Sequence, residues 1–526
     1  MSWQNSSISR LLSNKDIKYL FRSYALVPIG IILYLMILYG IQRIIQVIGI
    51  RFPSSVCLML IQFIGLSLLA LIFGEKKIEV VLKVLEVPCG FSLRWMNVYF
   101  IPAFVVLPLS KHIGVGGAFT ICGIFVIGYL AMFALIAYLT LGLEIVQNYL
   151  AGKISKRKTP TDSESGAQES KQELKPEFKA DSNGTIPELD SATTTASEES
   201  QDIATDLENH IEGEALMEQL TQIDQIDTNA AVDRFSRTHG VVVRNLCQVI
   251  DWSLYTICFI VGIVVYFTTG YELPYQLGVT VLLFKTCMLI PPRWRRFAHP
   301  ILISFAVELL IILIFTEIRG QGFLDSLRDY KTGRTYLHLF DGKNYPKLPG
   351  CGDLLSSLMD VSIVSLSIPM YRYRMDLKKN FLVLTVPILV CAAICFFCYP
   401  PIVSRLGLSD SMALGFTGRS VTLALGTPLV ANLGGNQSLM ACSTVISGII
   451  GVISGEAMLK LLRLDSDMVE GVTLGLNCGA VSTSHLLTVN PKAASVSSLS
   501  FTLFGTVMVI WSSINPLVRT IKDLLV

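Results

Sequence analysis

Long, nearly uninterrupted apolar blocks are the feature that most constrains how this chain folds. Of its 526 residues, 52% are hydrophobic and only 16% are charged, and the apolar residues fall in runs rather than at the period of a helix or a strand. A bilayer core of about 30 Å requires about 20 mostly apolar residues per helix. Because backbone groups in lipid must be satisfied internally, such blocks are helices. The sequence therefore predicts an all-α, polytopic transmembrane bundle with about 12 spans.

The blocks form two groups separated by a polar stretch. Four of them make up an N-terminal unit over residues 24–150, at 24–40, 53–73, 98–109 and 115–143. Residues 160–214 hold 15 acidic and 3 basic residues, so we interpret 151–240 as an acidic, Ser/Thr-rich disordered linker. The second unit, 241–526, has an extramembrane loop at about 319–352. Its apolar blocks lie at 246–267, 274–290, 300–318, 354–369, 381–399, 438–459, 469–487 and 496–511.

Basic residues lie at the ends of the apolar blocks, which indicates topology and does not suggest a nucleic-acid partner. The first 23 residues are basic and lack a small-residue cleavage site, so we interpret them as a cytosolic tail. Cationic short loops mark the cytoplasmic side of a membrane. Counting spans between basic clusters places the N-terminus, the linker and the C-terminus in the cytosol. The clusters are Lys153, Lys156, Arg157 and Lys158; Arg293, Arg295 and Arg296; Arg372, Arg374, Lys378 and Lys379; and Lys460 with Arg463.

The last of these clusters stays cytosolic only if residues 411–435 begin and end on the same face. Helix breakers interrupt this stretch at Gly415, Gly418, Gly426, Pro428, Gly434 and Gly435. Non-helical backbone at membrane depth is tolerated only beside protein or a water-filled cavity. We therefore predict a re-entrant hairpin; the alternative is a poor full helix with reversed flanks downstream. Inverted repeats within the C-terminal unit are a further hypothesis about its fold.

Arg419 lies inside the predicted hairpin, between Gly418 and Ser420, with Thr422 close by. An ionisable group in a bilayer costs about 2.5 to 3.5 kcal/mol on insertion scales, so its presence needs a reason. A guanidinium can bind two carboxylate oxygens at once, which favours an anion site. The alternative is an arginine that snorkels to the headgroups. We take Arg419, Ser420 and Thr422 as candidate substrate-binding residues.

Three further ionisable residues lie within apolar blocks. Asp360 is either a proton-coupling carboxyl group or a hydrogen-bonded packing residue, and the sequence does not decide between them. Lys285 and Glu308 lie at similar estimated depths in neighbouring predicted helices. An ion pair between adjacent antiparallel helices is the favoured interpretation of these two, over a role in transport.

A ladder of polar residues occupies the block 469–487 and includes Asn477, Ser482, Thr483, Ser484 and His485. Small and hydroxylated residues permit close helix approach and hydrogen bonds across helices, so packing alone explains about half of them. We retain Asn477 and Thr483 as candidate substrate-binding residues. His485 is a candidate for proton coupling, against the alternative of a structural histidine near a helix end.

The string formed by Gly350, Gly352 and Asp353 matches the GxGD pattern of intramembrane aspartyl proteases. Such enzymes need a second membrane aspartate to share a proton, and Asp251 or Asp360 is a nominal partner. However, Asp353 lies at the edge of a long polar loop, and the Tyr-Asp partner motif is missing. An intramembrane protease therefore remains only a minor alternative.

Motifs for enzymes, metals and cofactors are otherwise missing. There is no HExxH, P-loop or nucleophile elbow in a plausible context. Cys391, Cys395 and Cys398 lack histidine or carboxylate neighbours in the sequence, which favours helix packing over a metal site. We expect a protein that is not an enzyme and that needs neither a metal nor a cofactor.

Several stretches of the C-terminal unit carry motifs of a known family. Residues 418–422 align with a P-K-S-V-T string, 433–435 with an I-G-G turn and 446–455 with a G-I-I-G helix. Residues 475–483 align with a G-x-x-x-H-x-x-G-T string and 494–500 with a G-A-F-S-S-L-A string. These strings resemble the bacterial LrgB/CidB family. Arg419 stands where the family has lysine and keeps the charge, whereas Gly479 stands where it has histidine and Ser482 where it has glycine.

The N-terminal unit is similar to the companion LrgA/CidA family. Pro53, Ser55, Val56 and Met59 fall on its P-G-S-V-I-G-M string, and 100–103 on its F-V-P-A string. Both units in this order, joined by a linker, resemble the fused architecture of the plastidal glycolate/glycerate translocators of plants.

The resemblance implies two competing functions. The first is transport of small monocarboxylates of the glycolate, glycerate or pyruvate class, with a small organic anion and the lipid bilayer as partners. The second is a holin/antiholin-like regulator of membrane permeability or cell death that acts as a homo-oligomer. A pore former needs neither Asp360 nor Arg419 in a membrane segment, so these residues favour the carrier.

Overall fold

The computed structural model describes residues 22–49, 52–109, 115–157, 228–291, 294, 299–343 and 345–525. Most of the predicted N-terminal tail and of the predicted linker lies outside these residues. So do Arg293, Arg295 and Arg296 of one basic cluster. Within the described ranges the regular elements are helices and no strand occurs, which confirms the predicted all-α class.

The helices follow the apolar blocks, and a further helix at Glu75–Arg94 lies before the block predicted at 98–109. In the first membrane portion, a π-helical turn at Arg22–Leu26 precedes α1 (Val27–Ile48), α2 (Ser54–Phe73), α3 (Glu75–Arg94), α4 (Met96–Val105) and α5 (Val115–Arg157). The second portion opens with α6 (Thr228–Thr269), α7 (Leu273–Met288), α8 (Pro300–Arg319), α9 (Phe323–Tyr330), α10 (Tyr336–Leu339), α11 (Cys351–Ser365), α12 (Ser367–Arg372), α13 (Arg374–Lys379) and α14 (Phe381–Ala393). A π-helical turn at Ile394–Cys398 then leads to α15 (Tyr399–Arg405), α16 (Asp410–Phe416), α17 (Leu423–Leu433), α18 (Gln437–Leu461), α19 (Asp467–Val489), α20 (Pro491–Ser513) and α21 (Asn515–Asp523).

Ten helical stretches in the described part of the chain are long and apolar enough to cross a membrane. They account for ten of the twelve predicted blocks. The other two blocks are helical but do not qualify as candidate spans. Helix α7 has only 16 residues, which is short for a bilayer core of about 30 Å. Helix α19 has 23 residues, but its backbone is interrupted at Gly479.

The chain divides into two compact units. The first contains Met1–Glu144 and Leu216–Val526, so that helices of both membrane portions belong to it. One hydrophobic cluster within this unit joins Leu38 and Phe104 of the first portion to Ile363, Phe416 and Phe504 of the second. The second unit is Ile145–Ala215, of which the structure describes the C-terminal turns of α5.

The stretch predicted as a hairpin consists of two short helices, α16 and α17, whose outer ends meet. The amide of Asn436 donates a hydrogen bond to the carbonyl oxygen of Ser411 at 2.7 Å. Gly435 makes this approach possible, because a Cβ there would lie 2.8 Å from the amide nitrogen of Gly415. The segment therefore returns to the point where it began, as a re-entrant hairpin requires.

Candidate functional site

The backbone between α16 and α17 is not helical, and the neighbouring helix α18 satisfies its carbonyl groups. The hydroxyl of Thr444 donates to the carbonyl oxygens of Gly418 at 3.1 Å and Val421 at 3.2 Å. The hydroxyl of Ser447 donates to the carbonyl oxygen of Arg419 at 3.3 Å. Since a freed carbonyl group is costly in an apolar interior, these two hydroxyls are what allow the helix to break here.

A second helix break faces the first. Inside α19, Gly479 has φ 61° and ψ −148°, a conformation that is essentially restricted to glycine. The hydroxyl of Ser482 bridges this break by donating to the carbonyl oxygens of Leu474 at 3.2 Å and Gly479 at 3.1 Å. A Cβ on Gly479 would lie 3.2 Å from Oγ1 of Thr422, so the two breaks are in contact.

Arg419 is fully buried where these breaks meet, with 0% of its surface exposed. Among the described residues none accepts a hydrogen bond from its three guanidinium nitrogens. The guanidinium carbon lies 4.8 Å from the centre of the Tyr399 ring, which gives a cation–π contact. A buried cation without a counter-ion is strongly unfavourable, so this arrangement is suited to receive an anion.

Unsatisfied hydroxyl and amide oxygens accompany the guanidinium on both broken elements. Each of them is at least nine-tenths buried, and no hydrogen-bond partner is found for them in the described part of the chain. They are Oγ1 of Thr417, Oγ of Ser420, Oγ1 of Thr422, Oγ1 of Thr473 and Oδ1 of Asn477. Buried polar groups are normally paired. A cluster of this kind at two helix breaks is therefore typical of a site for a polar ligand.

Helix starts contribute positive charge to the same region. Helix α17 begins directly after Thr422, and the second half of α19 begins directly after Gly479. The first amide groups of a helix lack partners within it and carry part of a positive charge. Both helix starts therefore favour an anion next to Arg419.

The remaining predicted substrate-binding residues have local partners. Nδ2 of Asn477 donates to the carbonyl oxygen of Thr473 at 3.0 Å. The hydroxyl of Thr483 donates to the carbonyl oxygen of Gly479 at 2.9 Å and lies 2.6 Å from the hydroxyl of Ser497. Thr483 thus fixes the break in α19, while Asn477 keeps a free carbonyl oxygen beside it.

Residues that sequence reasoning did not select complete the surroundings of Arg419. Tyr399 and the thiols of Cys391 and Cys395 lie around the guanidinium, as does Tyr129 of α5. The phenol of Tyr129 is 3.1 Å from the sulfur of Cys478, the neighbour of Gly479. Nothing in the sequence indicates that a tyrosine of a distant apolar helix lies beside Arg419. The sequence also does not indicate the π-helical turn after α14, although such turns are common at functional sites.

The two candidates for proton coupling lie in other surroundings. Asp360 of α11 contacts the hydroxyl groups of Ser55, at the start of α2, and Tyr336 of α10. His485 is half-buried near the end of α19. The structure thus gives Asp360 hydroxyl partners in a packed region, and a role of either residue in proton coupling stays a prediction.

The predicted ion pair between Lys285 and Glu308 is wrong. Lys285 instead pairs with Asp251 of α6 at 3.3 Å. Glu308 accepts a hydrogen bond from Thr280 at 2.7 Å and lies beside Tyr330. Lys285 and Glu308 lie at different depths, because Thr280, which contacts Glu308, is five positions before Lys285, about 7.5 Å along a helix axis.

Asp353 of the GxGD string has a structural role that accounts for its position. Its carboxylate accepts hydrogen bonds from the amides of Thr332, Gly333 and Gly350, each at 2.9 Å, and from the hydroxyl of Thr332 at 2.7 Å. It thereby caps the start of α11 and ties the preceding loop to it. Neither Asp251 nor Asp360 is among these contacts, so the structure offers no aspartate pair around Asp353.

Comparison with known proteins identifies the family to which this chain is related. A family model described as the LrgB-like family matches residues 280–517, which include both broken elements and Arg419. The chain is 31% identical over 171 residues to the uncharacterised protein YxaC of Bacillus subtilis, covering 32% of this chain and 71% of YxaC. No solved structure matches the chain.

Two relatives carry names that bear on function. The first is plastidal glycolate/glycerate translocator 1 of Arabidopsis thaliana, 24% identical over 235 residues, which is 44% of this chain and 44% of the translocator. The second is the holin-like protein CidB of Staphylococcus aureus, 23% identical over 175 residues, which is 33% of this chain and 76% of CidB. The match thus spans less than half the length of the plant translocator. From the family model and the similarity to YxaC, this chain belongs to the LrgB-like family of membrane proteins.

Proposed function

We propose that this protein is a membrane carrier of small organic monocarboxylates, of the size of glycolate, glycerate or pyruvate, and that Arg419 binds their carboxylate group. The observation that carries the proposal is the fully buried guanidinium without a hydrogen-bond acceptor in the described structure. A carboxylate would remove the cost of this unpaired charge by accepting two parallel hydrogen bonds.

The two facing helix breaks support a carrier in particular. Transporters commonly build their substrate site from discontinuous helices, with helix starts directed at the anionic group of the substrate. Here the starts of α17 and of the second half of α19 meet at Thr422 and Gly479. The free hydroxyl groups of Ser420 and Thr422 are suited to bind a hydroxyl or carbonyl group next to the carboxylate.

The names of the relatives allow a second function. CidB is named a holin-like protein, and a chain of this kind would raise membrane permeability without binding a substrate. Such a role would leave the unpaired charge of Arg419 unexplained, which is why we favour the carrier. The two functions differ in what they let through. A carrier saturates and distinguishes acids, whereas a pore also passes neutral solutes of similar size.

Uptake by proteoliposomes tests the proposal. Purified full-length chain is reconstituted, and the entry of labelled glycolate, glycerate, pyruvate and neutral glycerol is followed with and without a pH gradient. The expected result is saturable uptake of at least one acid, without glycerol leak. Uptake of glycerol at the same rate as the acids would instead identify a pore.

Two substitutions make the test specific to the site. Arg419→Ala is expected to reduce uptake about a hundredfold, because it removes charged hydrogen bonds worth about 3 kcal/mol. Arg419→Lys retains the charge without the planar fork, so intermediate uptake is expected. Thermal unfolding in detergent shows whether each variant is folded. Normal uptake by a folded Arg419→Ala variant contradicts the proposed site.

A further inference from the structure

A cavity of about 50 Å³ lies between the two membrane portions. Its walls come from α4 of the first portion and from α11, α17 and the start of α18 of the second. Tyr99, Ala103 and Val106 line it on one side, and Met359 and Leu423 on the other. A buried water needs about 10 to 15 Å³ of such space, so the cavity has room for several waters or one acid of two or three carbons.

The charged group of this cavity is Lys331, which directly follows α9. Its side chain is half-buried. None of the ion pairs found between described residues includes it. Burial lowers the pKa of the ammonium group, and the field of Asp353 partly opposes that shift. The carboxylate of Asp353 itself accepts hydrogen bonds from the amides of Thr332, Gly333 and Gly350. The ammonium group is thus available to an anion that enters the cavity.

Uncharged polar residues of the second membrane portion accompany Lys331 in the lining of the cavity. Four polar residues line the cavity, namely Ser356, Thr427, Gln437 and Ser438. The wall that α4 contributes is mostly apolar. Sites for small ligands typically combine an apolar lining with a few polar groups that fix orientation. A small hydroxy acid or keto acid has this combination of a carboxylate, one further oxygen and a short carbon body.

The cavity and the buried guanidinium adjoin the same helix start. Leu423 and Thr427 are in the first two turns of α17 and line the cavity. Thr422, the residue before this helix, contacts the break in α19, and Arg419 is three positions earlier. The cavity and the Arg419 site therefore both adjoin the start of one short helix.

From this arrangement we propose a second anion site at Lys331, in which a small carboxylate is held before it reaches Arg419. The inference rests on the proposed carrier function and extends it. It also gives α4 of the first membrane portion a part in substrate binding. Lysine suits such a site, because a flexible point charge binds an anion without the fixed geometry that an arginine fork imposes.

Uptake kinetics provide the first test. Lys331→Gln is expected to raise KM for the transported acid about tenfold and to leave kcat nearly unchanged, because one charged hydrogen bond is lost at a site outside the central one. Ala103→Leu is expected to raise KM similarly by filling the cavity without altering charge. The matched control is Lys347→Gln, which removes an exposed lysine paired with Asp329 and leaves KM unchanged.

Chemical labelling of Lys331 tests binding without transport. Acylation requires the neutral amine, and a bound carboxylate stabilises the charged form, so glycerate is expected to slow acylation of Lys331 but not of exposed Lys343. Chloride at equal ionic strength is the control anion. Mass spectrometry of the labelled full-length chain measures both lysines in one sample.

The Arg419→Ala variant separates this inference from the proposed function. Protection of Lys331 by glycerate in both the wild type and Arg419→Ala supports a separate site. Protection without any uptake by the wild type would retain the anion site and reject the carrier. No protection in the wild type, or unchanged KM in both Lys331→Gln and Ala103→Leu, overturns the inference.

Discussion

Single residues of the first membrane portion control the shape of the site around Arg419. Gly128 of α5 lies against Tyr399, whose ring supports the guanidinium. A Cβ on Gly128 would lie 2.5 Å from the hydroxyl oxygen of Tyr399, closer than atoms can approach. We predict that Gly128→Ala displaces the ring and lowers acid uptake about tenfold, as for a lost contact worth about 1.4 kcal/mol.

Two glycines of the same helix provide the controls for this prediction. A Cβ on Gly123 or Gly142 would meet no atom within 4 Å. Alanine is favoured over glycine within a helix by about 1 kcal/mol. Gly123→Ala and Gly142→Ala are therefore expected to retain full uptake and to unfold at slightly higher temperature. Equal uptake by all three variants would show that Tyr399 does not position Arg419.

At this scale the sequence predicts the presence of charges better than their partners. It indicates Arg419, because an arginine among glycines and hydroxyl residues is costly in a membrane. It pairs Lys285 and Glu308 wrongly, because their relative depth depends on the position of α7 along its neighbours. Asp251, the true partner of Lys285, lies 34 positions away on α6. Only the packing of the helices determines how their residues are aligned along the helix axes.

At the scale of helices, the break in α19 depends on one residue. Gly479 has a positive φ, and its ψ of −148° falls in a region that side chains exclude. We predict that Gly479→Ala costs about 1 to 3 kcal/mol of stability, as expected for such strain, and abolishes most uptake. Thermal unfolding in detergent and uptake by proteoliposomes measure the two effects.

Gly65→Ala in α2 is the matched control, since a Cβ there meets no atom within 4 Å. It is expected to be neutral or slightly stabilising, as alanine replaces glycine inside a regular helix. If Gly479→Ala proved equally harmless, α19 would continue through this point as an ordinary helix in the functional protein.

The two breaks differ in how far the sequence predicts them. Around Arg419, several glycines and a proline within 25 positions indicate a broken helix. In α19, Gly475 and Gly479 look equivalent but act differently. Gly475 has a close neighbour, because a Cβ there would lie 2.6 Å from the carbonyl oxygen of Ser497, whereas Gly479 provides the unusual backbone conformation. The sequence indicates small residues in both places and does not indicate which one breaks the helix.

At the scale of the whole molecule, both membrane portions contribute residues to the candidate site and to the cavity at Lys331. Tyr129 of α5 lies beside Arg419, and Tyr99 and Ala103 of α4 line the cavity at Lys331. The sequence predicts two membrane units because a long acidic stretch separates them. It does not predict that they share one core, because contacts across more than 250 positions depend on helix packing alone. The similarity of the first portion to LrgA remains a prediction.

Ion pairs that join α3 to α12 and α13 offer a test of how firmly the portions are joined. Arg372 pairs with Glu79 and Glu86, and its side chain is 14% exposed. Arg374, whose own side chain is 21% exposed, pairs with Glu75, whose side chain is 71% exposed. Removal of one partner from a buried pair leaves an uncompensated charge and costs about 3 to 5 kcal/mol, whereas exposed pairs contribute about 1 kcal/mol or less.

We therefore predict that Arg372→Ala lowers the stability of the full-length chain in detergent by at least about 2 kcal/mol, below the fully buried value because the pair is partly exposed. Arg374→Ala, two positions away, is expected to cost less than about 1 kcal/mol. Thermal unfolding at low and high salt distinguishes the two, since exposed pairs are screened more strongly. A loss of stability that is equal for both variants would mean that the ion pairs of Arg372 are as accessible to water as the pair of Arg374, and that packing alone holds the portions together.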